Sequence, residues 1–332
     1  MLVLLLLSVL PTVSSHGNKL GVSQDILNSL LAQNNLTIYE ECSSFSGDCF
    51  VIKDFVYFYN GQIHARRHLK PKMNMLGSIT IARLLVPSPL TKNNLLVRNW
   101  KIDKKTIVPT FPTGELYIAI GYLTEALSYE SRERQQVLMV GLGGGVISNY
   151  LSTLDNVEMT AIELEPSMVR IAERYFGHQD VTGVTKTHIA DGAKFLETAR
   201  VQGLTYKVIM IDADYNGDTT GTGLIGPVKE FVDRKTIQNI FECLEEKGTV
   251  AVNVVSVHSR EQRERETLQA YQSFFPSCYY IHFQTVHNKL LICSKRPNWT
   301  LDNQRDLFKK NLRKAIQRLG FKELEYELNF SH

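Results

Sequence analysis

The feature that most constrains this chain is Gly141-Leu142-Gly143-Gly144-Gly145, set between the apolar run Val137–Val140 and a stretch with helical apolar spacing from Val146 to Leu154. Glycines at a strand-to-helix turn let the backbone approach a ligand with no Cβ in the way. They also aim N–H groups and the positive end of the helix at it. A dinucleotide fingerprint would need glycine at position 146, where the chain has Val146. The lysine followed by Ser or Thr of a P-loop is absent as well. A dinucleotide and a nucleoside triphosphate are therefore disfavoured as occupants.

Beyond the loop, strand-like and helix-like runs alternate. Val157–Ile162, Val184–Ile189, Val208–Ile211 and Thr249–Val254 read as strands; Pro166–Phe176, Gly192–Ala199 and Asp233–Glu246 read as helices. This alternation predicts an α/β, doubly wound, mostly parallel sheet covered on both faces. Such sheets bind ligands at the carboxyl ends of their strands, and acidic residues gather there. Glu163 ends the second strand and is placed to accept hydrogen bonds from ribose hydroxyls; Asp191-Gly192 follows the third and can meet an adenine amino group; Asp212 and Asp214 follow the fourth. Together with Gly141, Gly143 and Gly144 these form an adenosyl-binding pattern. Residues 215–226, with four glycines, are a candidate lid.

The N-terminal third has a different texture. Asn60-Gly61 between Phe50–Tyr59 and Gln62–Ala65 is a strong hairpin signal. We read residues 1–15 as a signal peptide, 16–112 as a small β-rich appendage, 113–320 as the ligand-binding domain and 321–332 as a C-terminal tail. The basic run Arg66-Arg67-His68-Leu69-Lys70 reads as a solvated face, because aromatic residues do not interleave with it as in a nucleic-acid platform. A net charge of +3 adds no argument for a nucleic-acid partner, and none is expected. Nor does metal or nucleophile chemistry find support: the nine histidines are scattered, His64 and His68 lack a glutamate between them, and no G-x-S-x-G elbow occurs.

Leu2–Leu10 is an apolar core of signal-peptide length followed by Pro11-Thr-Val-Ser-Ser15, with cleavage expected near Ser15–His16. Sequons at Asn35, Asn298 and Asn329 fit a secreted or lumenal glycoprotein, and no other stretch is apolar enough to span a membrane. Cys42–Cys49 brackets a turn and Cys278–Cys293 brackets a candidate hairpin, so each pair is a candidate disulfide with free thiols as the alternative. Cys243 reads as a buried thiol in a helix.

The motifs Val140–Gly145, Ile162-Glu-Leu-Glu-Pro-Ser-Met168, His188-Ile-Ala-Asp-Gly192 and Val208–Asp214 carry a resemblance over roughly residues 107–320. The chain resembles the spermidine-synthase-like branch of class I S-adenosylmethionine-dependent methyltransferases, and in particular the methyltransferase-like protein 13 group. The resemblance implies a Rossmann-like fold and S-adenosylmethionine as cofactor. It places Gly141, Gly143 and Gly144 around the methionine portion, Glu163 on the ribose and Asp191 with Gly192 near the adenine. Asp212 falls beside the reacting end, where it or Asp214 is the catalytic carboxylate. The acceptor is then an amine, on a small molecule or a protein, and relatives of this branch commonly pair as homodimers. Two departures weigh against an aminopropyltransferase: Gly144 stands where that group's loop aspartate is expected, and Asp212-Ala213-Asp214 is one residue too short for its aspartate pair. The described members of the group act on a cytosolic translation factor, from which a signal peptide would separate this chain. A secreted, non-catalytic relative is the competing expectation.

Overall fold

The computed structural model describes residues 22–72, 77–108, 112–214, 224–256, 260–283 and 288–328. The expected signal peptide, Asn329 and most of the candidate lid lie outside these residues.

Helix α1 (Gln24–Leu31) precedes an antiparallel sheet of five strands in sequential order: β1 (Leu36–Cys42), β2 (Cys49–Tyr59), β3 (Gln62–Pro71), β4 (Thr80–Leu84) and β5 (Ile102–Ile107). Asn60 and Gly61 make the β2–β3 turn with φ of 49° and 71°, the left-handed pair that lets a two-residue turn follow the twist of its strands. Alternation along β2 and β3 turns Phe50, Ile52 and Leu69 to one face. There they share a core with Met168, Ile171 and Phe176 of the second domain.

That buried face also takes Arg67, which corrects the expectation of a solvated basic run. Arg67 is 3% exposed and grips Asp54 with Nε at 2.7 Å and Nη2 at 2.8 Å. It lies on the same face as Ala65 and Leu69, both buried. Aromatic residues do interleave with the run, but across strands: Arg66 lies over Tyr57 and Lys70 over Phe55, residues of β2.

The second domain continues with α2 (Pro112–Leu123), β6 (Gln135–Val140), α3 (Val146–Leu151), β7 (Val157–Glu163), α4 (Pro166–Phe176), β8 (Thr185–Ile189), α5 (Gly192–Val201) and β9 (Tyr206–Ile211). It closes with β10 (Leu224–Gly226), α6 (Arg234–Cys243), β11 (Leu244–Ser256), α7 (Arg260–Gln272), β12 (Ser277–His282), β13 (Lys289–Ser294), α8 (Arg305–Leu319) and α9 (Glu323–Glu327). Its main path runs β12-β13-β11-β9-β6-β7-β8, with β10 paired to β11. The pairs from β8 through β11 are parallel, and β13 runs antiparallel to both its neighbours. The strand order reverses between β6 and β9, so the ligand crevice of a doubly wound sheet falls beyond their carboxyl ends. Two apolar clusters cover the sheet, one centred on α2 and α8 and the other on α6 and α7.

Three boundaries differ from the sequence reading. Asp233–Glu246 is not one helix: α6 stops at Cys243, and Leu244 opens β11 opposite Tyr206. The helix after the glycine loop spans only Val146–Leu151. Residues 321–328 are no loose tail, since Phe321, Leu324 and Leu328 are buried in the α2 cluster. Disulfides join Cys42 to Cys49 across the β1–β2 turn and Cys278 to Cys293 across the β12–β13 pair. Cys243 is a buried free thiol. Among the described residues no helix is long and apolar enough to cross a membrane, and no cluster of metal-ligating side chains occurs.

Candidate cofactor and active site

The ends of the central strands are laced together one residue beyond their last pairs. Gly141 N–H donates to Ile162 O, Asp212 N–H to Val140 O and Ala190 N–H to Glu163 O, all at 2.8–2.9 Å. Gly141 sits at φ 93°, and a Cβ there would lie 2.1 Å from the Asp212 carbonyl oxygen. Only glycine satisfies both conditions. The loop and the fourth-strand acids thus touch through backbone, at the switch point.

Glu163 is the hub of the loop. Its Oε2 accepts from Leu142 N–H at 2.8 Å and its Oε1 from Glu165 N–H at 3.0 Å, and Gly143 N–H also faces it. Burial raises its pKa while these N–H groups pull the other way. Gly144 N–H donates to Thr80 Oγ1 of β4 at 2.9 Å, and Gly145 N–H to Leu142 O at 2.9 Å. The loop therefore gives its amide donors to protein acceptors, contrary to the expectation that they face the ligand. The six residues of α3 add little dipole. A loop with its donors so engaged suits a ligand without phosphate, held by close approach and by the carboxylate of Glu163. Its oxygens keep lone pairs for two hydroxyls.

Asp191 caps α5, with Oδ1 accepting from Ala193 N–H at 2.9 Å and Lys194 N–H at 3.1 Å, which leaves Oδ2 as the atom available to an amino group. Gly192 packs so closely that a Cβ would lie 2.4 Å from Val140 Cγ1.

Asp212 and Asp214 are brought together by a residue that no sequence motif flags. Asn253 of β11 donates from Nδ2 to Asp212 Oδ1 at 2.8 Å and to Asp214 Oδ2 at 3.1 Å, while its Oδ1 accepts from Asn288 at 3.1 Å. Its one signal in the sequence is a lone polar residue inside Val250–Val255. Tyr117 of α2 closes the floor, its hydroxyl donating to Ile211 O at 2.7 Å. Asp212 is half-buried and Asp214 is exposed beyond it. Burial pushes the Asp212 carboxyl up to about 6, with Asn253 opposing and the Glu163 charge adding. Desolvation and the charge of Asp212 also raise the Asp214 carboxyl above its ordinary range. The pair is thus poised to hold a proton or a cation.

Strand order, glycine loop and carboxyl-end acids define a class I, Rossmann-like methyltransferase fold. Its family model, the spermine/spermidine synthase domain, matches residues 122–296, and the chain belongs to that family. The chain is 27% identical over 246 residues to the eEF1A lysine and N-terminal methyltransferase homolog of Drosophila melanogaster, covering 70% of this chain and 35% of the relative. To the human eEF1A lysine and N-terminal methyltransferase it is 28% identical, over 50% of this chain and 24% of that one. The chain therefore spans only about a quarter to a third of the length of these relatives. It is also 28% identical over 146 residues to a polyamine aminopropyltransferase of Vibrio vulnificus, covering 44% of this chain and 45% of that one. Among solved structures, human methyltransferase-like protein 13 in complex with SAH superposes with a TM-score of 0.53 and 25% identity, over 61% of this chain and 90% of the other.

Proposed function

We propose that this protein binds S-adenosylmethionine and methylates an amine, on a protein or a small molecule, within the secretory pathway. The observation that carries the reading is the Asp212–Asn253–Asp214 cluster touching Gly141 at the switch point, with Glu163 one strand away. The relatives named as methyltransferases and the SAH-bound neighbour support it. When bound, the cofactor supplies an already activated methyl group, so the protein's work is positioning. Glu163 accepts from the ribose and Asp191 Oδ2 from the adenine amino group. Asp212 and Asp214 draw an ammonium acceptor in and take up the proton it must lose before it can attack. A protein acceptor is favoured by the relatives' names.

The compartment rests on the apolar leader, on two disulfides, and on the exposure of Asn35 and Asn298. Secretion into the medium of cultured cells, with a mass shift on glycosidase treatment, tests that part; retention in the cytosol would refute it. Calorimetric titration of the mature protein with S-adenosylmethionine tests the cofactor. Micromolar binding is expected, and a folded sample that binds nothing favours the non-catalytic alternative.

The aminopropyl reading draws on the family model and the Vibrio relative. Against it, a Cβ at Gly144 would lie 2.7 Å from Thr80 Cγ2, which leaves no room for a loop aspartate. Decarboxylated cofactor and putrescine should give no polyamine product.

A further inference from the structure

The turn between β1 and β2, residues 43–48, has its ends tied by the Cys42–Cys49 disulfide. Ser43 Oγ accepts from the N–H groups of Phe45 and Ser46 at 2.9 Å each, and Ser43 N–H donates to Asp48 O at 2.7 Å, so the turn is fixed from within. Two of its hydroxyls then cross to the other domain. Ser43 Oγ donates to Glu165 Oε1 at 2.7 Å and Ser46 Oγ to Glu165 Oε2 at 2.9 Å.

Glu165 is the N-cap of α4, but capping alone does not explain this arrangement. Its contact to Ser167 N–H is long, at 3.4 Å, whereas both carboxylate oxygens receive short bonds from the N-terminal sheet. Burial opposes its charge, yet Ser43, Ser167 and Ser46 together outweigh this and hold the carboxyl below its usual range. From Glu165 the bonding continues inward: its N–H holds Glu163 Oε1, and Glu163 Oε2 holds Leu142 N–H in the glycine loop.

We propose that Ser43 and Ser46 are positioning residues for Glu163, acting through Glu165, and that the Cys42–Cys49 bridge braces the turn that presents them. This role rests on the cofactor reading given under the proposed function. A surface turn of the N-terminal sheet thereby sets the orientation of the carboxylate that meets the ribose.

The test is calorimetric titration of the full mature chain with S-adenosylhomocysteine, paired with amide hydrogen exchange of the ligand-free protein. Ser46→Ala and the double variant C42A/C49A should each weaken binding roughly three- to tenfold. Exchange at Leu142 and Glu165 should quicken in both. Ser46→Thr, which keeps the hydroxyl, should restore both readouts. C278A/C293A, which removes the distant bridge, should leave them as in wild type. In a Glu165→Gln background Ser46→Ala should add nothing further, since the two act in series. If C42A/C49A does not fold, the Ser46 pair of variants carries the test. Wild-type affinity and wild-type exchange in Ser46→Ala would overturn the positioning role. A wild-type protein that binds no cofactor would overturn the functional reading instead, and the exchange data would still decide whether the serines order the loop.

Discussion

Gly141 shows how narrowly a single position can be set. Its φ of 93° and the 2.1 Å approach of the Asp212 carbonyl to a built Cβ are independent obstacles to any side chain. Gly141→Ala should cost on the order of 3 kcal/mol in stability, seen as a lower urea midpoint, and should weaken cofactor binding as well. Asp212 offers a second test at this scale. Its carboxyl rises from 3.8 to about 6 on folding, so between these values the folded state keeps a proton that the unfolded chain has lost. Stability should therefore fall as pH rises from about 4 to 6. Asp212→Asn should make that fall shallower in urea titrations across the window, with the other raised carboxyls, Asp214, Glu163 and Glu115, supplying what remains. An unchanged slope would contradict the burial of Asp212.

At the scale of elements, α9 is the most informative. Its segment, residues 321–328, buries Phe321, Leu324 and Leu328 against α2 and α3, and Tyr150 both packs on the Phe321 ring and donates to Leu319 O at 2.9 Å. Leu324→Ala should destabilise the protein by about 2–4 kcal/mol in chemical denaturation, as for a core leucine and unlike a tail residue. In the sequence this segment looks like a tail because Phe321, Leu324 and Leu328, spaced among a lysine, a tyrosine and three glutamates, are too few to show a period. The sheet is legible for the opposite reason. β6 and β9 hold apolar runs ended by glycine and by an acid, and position at a strand's end marks out Glu163, Asp191 and Asp212. Thr80, Ser43 and Ser46 are not legible. Their partners lie 64 to 122 positions away, and a serine in a turn looks like a turn former whether or not it reaches across to another domain. Asn253 lies between these cases, visible as an oddity in an apolar strand but not as a clamp on two aspartates.

At the scale of the whole molecule, the two sheets are joined by more than the shared apolar core. Arg67, besides its paired bonds to Asp54, donates from Nη1 to Tyr175 O of α4 at 2.9 Å and from Nη2 to Arg98 O at 2.9 Å. Alternation alone sets it on the inner face of β3, between Ala65 and Leu69, and only the habit of reading arginine as exposed hides this. Arg67→Ala should cost about 3–5 kcal/mol, because it strands the Asp54 carboxylate at 1% exposure. Replacing both partners by apolar residues is often neutral for a buried pair. Here it should not be, since the Tyr175 and Arg98 carbonyls would each lose a donor, at about 1–3 kcal/mol apiece. D54L/R67M should therefore remain well below wild type in urea midpoint. Because Tyr175 belongs to the cofactor domain, the loss should register in one cooperative transition followed by probes in both sheets. A double variant as stable as wild type would show that Arg67 serves Asp54 alone and does not tie the sheets together.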